Sequence, residues 1–246
     1  MLFSDDLKFE VGKKYIFASH PHGIHTWGMG AFQYQGADHP FFDKFPFLRD
    51  KMVCFCASIL FYVPFVRDII LAFGFRDASR ETVRAALRQG NSVVLVVGGA
   101  AESLLALPGT DKLVILGPKR KGFVRMALQE GAALIPVYTF HNTDTYHTFH
   151  WFWSLRKWLV TRHQVCLPLF VGRWGTAMPV NVYLPIAVGS PLPLPKDIPL
   201  DARGGVPDSV VDAYHAQYVA AVQALFERYK ADAGYPPERK LELFES

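Results

Sequence analysis

Residues 15–28 read YIFASHPHGIHTWG, and the way this stretch is taken decides how the rest of the chain is read. The run KYIFAS, residues 14–19, is apolar and of strand length. It stops on His20-Pro21-His22-Gly23, and His25 follows. Strands buried on both faces are near-continuous apolar runs, and in open α/β sheets the active residues gather where such strands end. Pro21 stiffens the turn, and Gly23 lets a substrate come close to the backbone. Three readings of the turn stand side by side. It is a catalytic base at a strand end, a His20-x-His22 metal clamp, or a turn that happens to contain histidine.

Strand and helix signals alternate on either side. KMVCFCA, residues 51–57, reads as a second strand, and SVVLVV, residues 92–97, as a third that runs into GGAAES. KLVIL, residues 112–116, is a short strand, and ALIPVYTF, residues 133–140, is another. Residues 79–90 read as a helix with Ser79 as its cap and Gly90 closing it, and FVRMALQEG reads as a helix closed by Gly131. From about Pro207 a stripe of Val211, Tyr214, Tyr218, Val222, Leu225 and Tyr229 recurs at helical spacing, so residues 207–232 are expected to dock on the core. The proline-rich GSPLPLPKDIPL before it reads as a connector within one domain spanning residues 1–246. The expected class is α/β: a layered, mixed but largely parallel sheet flanked by helices.

Composition narrows the function. A chain of 246 residues, 50% hydrophobic and 20% charged, can build a substantial core. A net charge of +4 gives no electrostatic footprint for nucleic acid. The three cysteines do not make a disulfide framework, and Cys54-x-Cys56 reads as core spacing on a strand. No secretory signal opens the chain, and no run reaches the length of a membrane span. Two apolar segments stay open. MVCFCASILFYVPFV, residues 52–66, is a buried core segment or an interfacial element that dips into one leaflet. HWFWSLRKWLV, residues 150–160, is a helix packed on the core or an amphipathic aromatic segment at a membrane–water boundary.

An imidazole with an ordinary pKa of about 6.5 can take a proton from a hydroxyl at neutral pH. Such a base needs a partner on its other nitrogen. Glu102, just past the strand of residues 92–97, is the candidate partner for His20; its alternative role is to accept backbone amides at a helix start. The basic turn Lys119-Arg120-Lys121 lies between a strand and a helix, where phosphates are held well, and Arg80 lies near another helix start. Each is equally readable as solvated surface. A metal hydrolase built on His20 and His22 would draw further ligands from later strand ends, where Glu102 and His141 stand, but no carboxylate-rich set completes it. No Gly-x-Ser-x-Gly elbow for a serine hydrolase occurs.

YIFASHPHG, VVGGAAES, KRKGFVRMALQEGAALIPVYTF and YHAQYVAAVQALFERYKADAGYP, in this order, resemble the type 2 diacylglycerol acyltransferase family. That family includes monoacylglycerol and wax-alcohol acyltransferases. The resemblance implies acyl transfer from acyl-CoA, as co-substrate, to a lipid hydroxyl. It implies no metal and no other cofactor, and a fold similar to that of the glycerolipid acyltransferases. It implies work at the cytosolic face of the endoplasmic reticulum membrane or at a lipid droplet. His20 takes the base position of the His-x4-Asp motif, and His25 stands where the Asp would be, which leaves the orienting role to Glu102. A lysophospholipid acyltransferase, the nearest alternative, is expected to keep that Asp. His22 contacts substrate or braces the turn. Gly98, Gly99 and Glu102 match the family's Gly-Gly-Ala-x-Glu motif, and with Arg80, Lys119, Arg120 and Lys121 the glycines are expected to meet acyl-CoA. The family's transmembrane hairpin precedes its His-Pro-His-Gly motif; this chain has 19 residues before His20, so the anchor is expected to be absent or the chain truncated.

Overall fold

The structure is a computed structural model that describes residues 1–149, 151–163, 165–198 and 205–245. His150 of the aromatic segment, the last two residues of the proline-rich connector and Ser246 lie outside the described residues. In chain order the elements are β1 (Leu2–Phe3), β2 (Lys14–His20), α1 (Trp27–Gln33), α2 (Pro40–Lys44), β3 (Met52–Cys56), α3 (Val66–Ala72), β4 (Arg76–Asp77), α4 (Arg80–Arg88) and β5 (Ser92–Val96). They continue with α5 (Gly99–Leu105), β6 (Asp111–Val114), α6 (Gly122–Glu130), β7 (Ala132–Thr139), β8 (His147–Thr148), α7 (Trp153–His163), β9 (Phe170–Val171), β10 (Ile186–Val188), α8 (Asp208–Tyr229) and β11 (Leu241–Phe244).

Seven strands form the main sheet in the order β1-β10-β7-β2-β5-β3-β4. β7, β2, β5, β3 and β4 run parallel, and β10 meets β7 antiparallel. The class is therefore α/β with a mixed, mostly parallel sheet flanked by helices. Alternation along β2 shows why: Tyr15 and Phe17 enter one apolar layer while Ile16 and Ala18 enter the other. Val83 and Leu87 of α4, Val124 of α6 and Tyr218 of α8 fill the second layer. Phe32 of α1 with Phe41 and Phe42 of α2 fill the first. Each phenylalanine so buried contributes roughly 2–3 kcal/mol of transfer free energy. Because β2, β5, β3 and β7 are parallel, their C-terminal ends share one edge. His20, the Gly98-Gly99 turn and the end of β7 meet there.

Several expectations change in contact with the structure. The KLVIL segment is a strand, but β6 leaves the main sheet and pairs in parallel with β11, a C-terminal strand whose alternating Leu241-Glu242-Leu243-Phe244 had not been singled out. Ser79 occupies the cap position of α4, but its hydroxyl meets Thr82 Oγ1 at 2.8 Å and no backbone amide. Of the segment 52–66, only β3 is core. Beyond it the 3-10 turn Ser58–Tyr62 and α3 bury no residue. α7 is inside out: Arg156 and Val160 are its buried side chains, and Leu155 and Trp158 face outward. The buried guanidinium is satisfied by main chain, donating from Nε to Leu167 O at 2.8 Å and from Nη1 to Phe149 O at 2.6 Å. The C-terminal helix begins one residue after Pro207, and its six-residue apolar stripe is buried throughout.

Candidate active site

β2 delivers His20 to the sheet edge, with Tyr138 of β7 as its register partner. α5 starts on the far side of the Gly98-Gly99 turn and carries Glu102 in its first turn, so strand end and helix start face each other. The expected pair forms: His20 Nδ1 lies 3.2 Å from Glu102 Oε1. Both side chains are fully buried. The same carboxylate accepts the His22 backbone N–H at 2.9 Å on Oε2 and the Val114 N–H at 3.1 Å on Oε1. With two backbone N–H groups already donating to this carboxylate, the tautomer that satisfies the contact is the one in which His20 Nδ1–H donates to Glu102 and Nε2 faces Tyr218. Glu102 therefore fixes the His20 ring and pins the histidine turn, and it accepts the amides of other segments rather than those of its own helix.

Gly98 explains the double glycine beside it. A Cβ built there would stand 1.7 Å from Glu102 Cδ, although Gly98 itself has ordinary helical φ of −74°. Gly99, at φ +58°, supplies the left-handed step into α5.

The lone pair of His20 is met by Tyr218, whose hydroxyl is 3.1 Å from Nε2 and 3.2 Å from the Ala18 carbonyl. Burial and the nearby Glu102 charge push this phenol well above its usual range, so it stays protonated and can donate to either acceptor. Tyr218 appeared in the sequence only as one more apolar position of the docking stripe. Its spacing carries no signal of the hydroxyl's role. His22, half-buried, has Nδ1 2.9 Å from Gly23 O, and burial lowers its pKa. Asn142, also missed, buttresses the turn: its Nδ2 lies 3.2 Å from the carbonyls of Pro21, His22 and His25. His25 is exposed and packs its ring on Tyr146 and Phe170.

The cations gather partly as expected. Arg120 is half-buried, with a guanidinium nitrogen 3.3 Å from where a Gly99 side chain would start, and burial lowers its pKa while Glu102 raises it. Arg80 Nη2 lies 3.9 Å from the corresponding point on Gly122, the first residue of α6. Arg80, Arg120 and the α6 N-terminus thus adjoin the sheet edge at which His20 lies. Lys121 is held by Asp212 at 2.8 Å, and Lys119 is exposed. His141 is tied down by Asp144 and the Ala233 carbonyl, both at 2.9 Å. Among the described residues, no group of three or more His, Cys, Asp or Glu stands close enough to hold a metal ion.

A buried Glu-supported imidazole beside an arginine-rimmed helix start can draw a proton from a hydroxyl while an anionic co-substrate is held nearby. Known proteins agree on the class. The family model described as diacylglycerol acyltransferase matches residues 2–244. Diacylglycerol O-acyltransferase 2 of Dictyostelium discoideum is 35% identical over 239 residues, covering 90% of this chain and 68% of that protein. The human 2-acylglycerol O-acyltransferase 3 is 35% identical, over 91% of this chain and 67% of its own. The human acyl-CoA wax alcohol acyltransferase 2 is 33% identical, over 94% of this chain and 70% of its own. The chain is an acyltransferase and belongs to the diacylglycerol acyltransferase family.

Proposed function

We propose that this protein, acting as one acyltransferase domain, moves a fatty acyl group from acyl-CoA to the hydroxyl of diacylglycerol, with triacylglycerol as product. The observation that carries the reading is the buried His20–Glu102 pair at the end of β2. His20 Nε2 takes the proton of the acceptor hydroxyl as its oxygen attacks the thioester carbonyl. The tetrahedral intermediate collapses, the C–S bond breaks, and coenzyme A leaves as a thiolate that can take the proton back from His20. No acyl-enzyme is formed. The Tyr218 hydroxyl stands where the acceptor hydroxyl must stand, so acceptor binding moves the phenol off Nε2, and its proton is left the Ala18 carbonyl as partner. Backbone amides of the Gly98-Gly99 turn or the histidine turn hold the developing oxyanion. Arg80 and Arg120, with Lys119 and Lys121, hold the coenzyme A phosphates at the start of α6.

The acceptor is a lipid alcohol, so the enzyme works at a membrane, the cytosolic face of the endoplasmic reticulum, or at a lipid droplet. The relatives also include a 2-acylglycerol O-acyltransferase and an acyl-CoA wax alcohol acyltransferase. The test is purified protein with labelled acyl-CoA and a panel of diacylglycerol, monoacylglycerol, long-chain alcohol and lysophospholipid, with products read by mass spectrometry. Triacylglycerol as the main product supports the reading. Label passing only to lysophospholipid, or only to water, removes it.

A further inference from the structure

Five non-glycine residues among those described have φ in the left-handed region, and three of them are large aromatics: Phe65 at +64°, Phe152 at +55° and Trp174 at +56°. For a bulky side chain this conformation is strained, and strain persists where surrounding structure or function selects it. None of the three is turned inward by it. They are among the most exposed apolar side chains described, at 81%, 73% and 75%. Each stands in an apolar neighbourhood that is itself exposed. Phe65 has Tyr62, Ile69 and Phe73 beside it in sequence; Phe152 leads into α7, with Leu155 and Trp158 outward and Arg156 inward; Trp174 precedes Met178.

The Phe65 and Trp174 neighbourhoods adjoin the sheet edge that carries His20 through α1, a helix of 7 residues and so about 10 Å long, and the Phe152 segment joins the strand that precedes Trp174 where Phe149 N–H donates to Leu169 O at 2.9 Å. At its end, Gln33 meets the Gly74 position, next to Phe73, at 3.0 Å. At its start, just after the histidine turn, Trp27 lines a groove together with Arg173 and Met178. The chain leaves the sheet for the Phe65 region from the C-terminal end of β3, the same edge at which His20 lies.

We infer that Phe65, Phe152 and Trp174 are prongs of a phospholipid-membrane docking surface that holds the acceptor side of the active site against the bilayer. The choice of occupant rests on the proposed function, which requires an acceptor soluble only in lipid. It rests also on chemistry. Exposed apolar patches of this extent mark an interaction surface, and Trp and Phe with neighbouring cations suit the interface between headgroups and acyl chains. Arg173 lies 4.4 Å over the Trp174 ring, and Arg67 follows Phe65 by two positions. No helix among the described residues is long and apolar enough to cross a membrane.

Glycine tests the inference cleanly, because it removes the ring and relieves the backbone strain together. The protein carrying Phe65→Gly, Phe152→Gly and Trp174→Gly is expected to melt at the wild-type temperature or above. Its partition onto phosphatidylcholine vesicles containing phosphatidylserine, read by flotation, is expected to fall on the order of 100-fold. Equal partition of the two proteins overturns the inference. So does ring-dependent self-association in lipid-free sedimentation, which would make a second copy the occupant. The same preparations, assayed with a short-chain acceptor dispersed in water, keep the wild-type turnover if the rings serve docking alone; a parallel loss there places them in catalysis and overturns the inference. Ring-dependent partition in a protein that transfers no acyl group sustains the docking surface and removes the functional proposal instead.

Discussion

Replacing Gly98 by alanine is expected to abolish most of the activity while leaving the fold in place. The Cβ would enter 1.7 Å from Glu102 Cδ, and 2.0 and 2.1 Å from its two oxygens. To regain ordinary contact near 3.4 Å the carboxylate must retreat by about 1.7 Å. The His20 Nδ1···Oε1 contact is 3.2 Å and the Val114 N–H bond to the same oxygen is 3.1 Å, so both are lost at that displacement. His20 then has nothing to fix its tautomer, and losing a positioned base costs on the order of 10²- to 10⁴-fold in kcat. The φ of Gly98 is −74°, so alanine meets no backbone strain and the effect is purely one of space. Gly30→Ala is the control, since nothing stands within 4 Å of its Cβ in α1. Steady-state acyl transfer with labelled acyl-CoA, alongside thermal melting by circular dichroism, reads both. A Gly98→Ala enzyme that keeps more than half of the wild-type kcat refutes the claim that Glu102 must stand where it does.

Tyr218→Phe removes a hydrogen bond that competes with the acceptor for Nε2; at about 1 kcal/mol, acceptor KM should fall roughly fivefold with kcat kept, and a large loss of kcat would instead make the hydroxyl a participant. Asp111→Asn weakens a buried carboxylate that accepts from Tyr138 at 2.6 Å and from Arg239 at 2.6 Å, and a loss of about 3 kcal/mol in chemical denaturation is expected; no loss would mean that the C-terminal strand is held without this tie. Burial lowers the pKa of both His22 and His215 below the ordinary 6.5, so below that pH the unfolded chain binds protons that the folded one does not. Stability from these two rings is complete above pH 6.5 and declines as the medium is acidified toward their folded values, so the melting temperature should drop between pH 7.5 and 5.5, with a shallower slope in His215→Asn. A flat profile would show that the two rings are charged alike in both states.

Most of the sheet was legible because buried parallel strands announce themselves as apolar runs. β2, β5 and β7 each lie within one or two residues of the run that predicted them. The His20–Glu102 pair was legible for the same reason: both residues follow such runs, and parallel ends meet. β11 was not, because Leu241-Glu242-Leu243-Phe244 is short and its partner β6 lies outside the main sheet. Tyr218 and Asn142 were hidden by contacts of long range in sequence, 198 residues to His20 and 121 to Pro21, which no local pattern encodes. The two ambiguous apolar segments resolved only in three dimensions. Periodicity shows that a helix has an apolar side, whereas the inward choice of Arg156 over Trp158 depends on where the Leu167 and Phe149 carbonyls lie.

The most direct test is the rate of triacylglycerol formation from labelled acyl-CoA and diacylglycerol by the His20→Gln enzyme, corrected for its folded fraction and compared with wild type at saturating substrate. An imidazole that removes the acceptor's proton predicts a fall of about 10²- to 10⁴-fold with acyl-CoA affinity kept. A rate close to that of the wild type would contradict it.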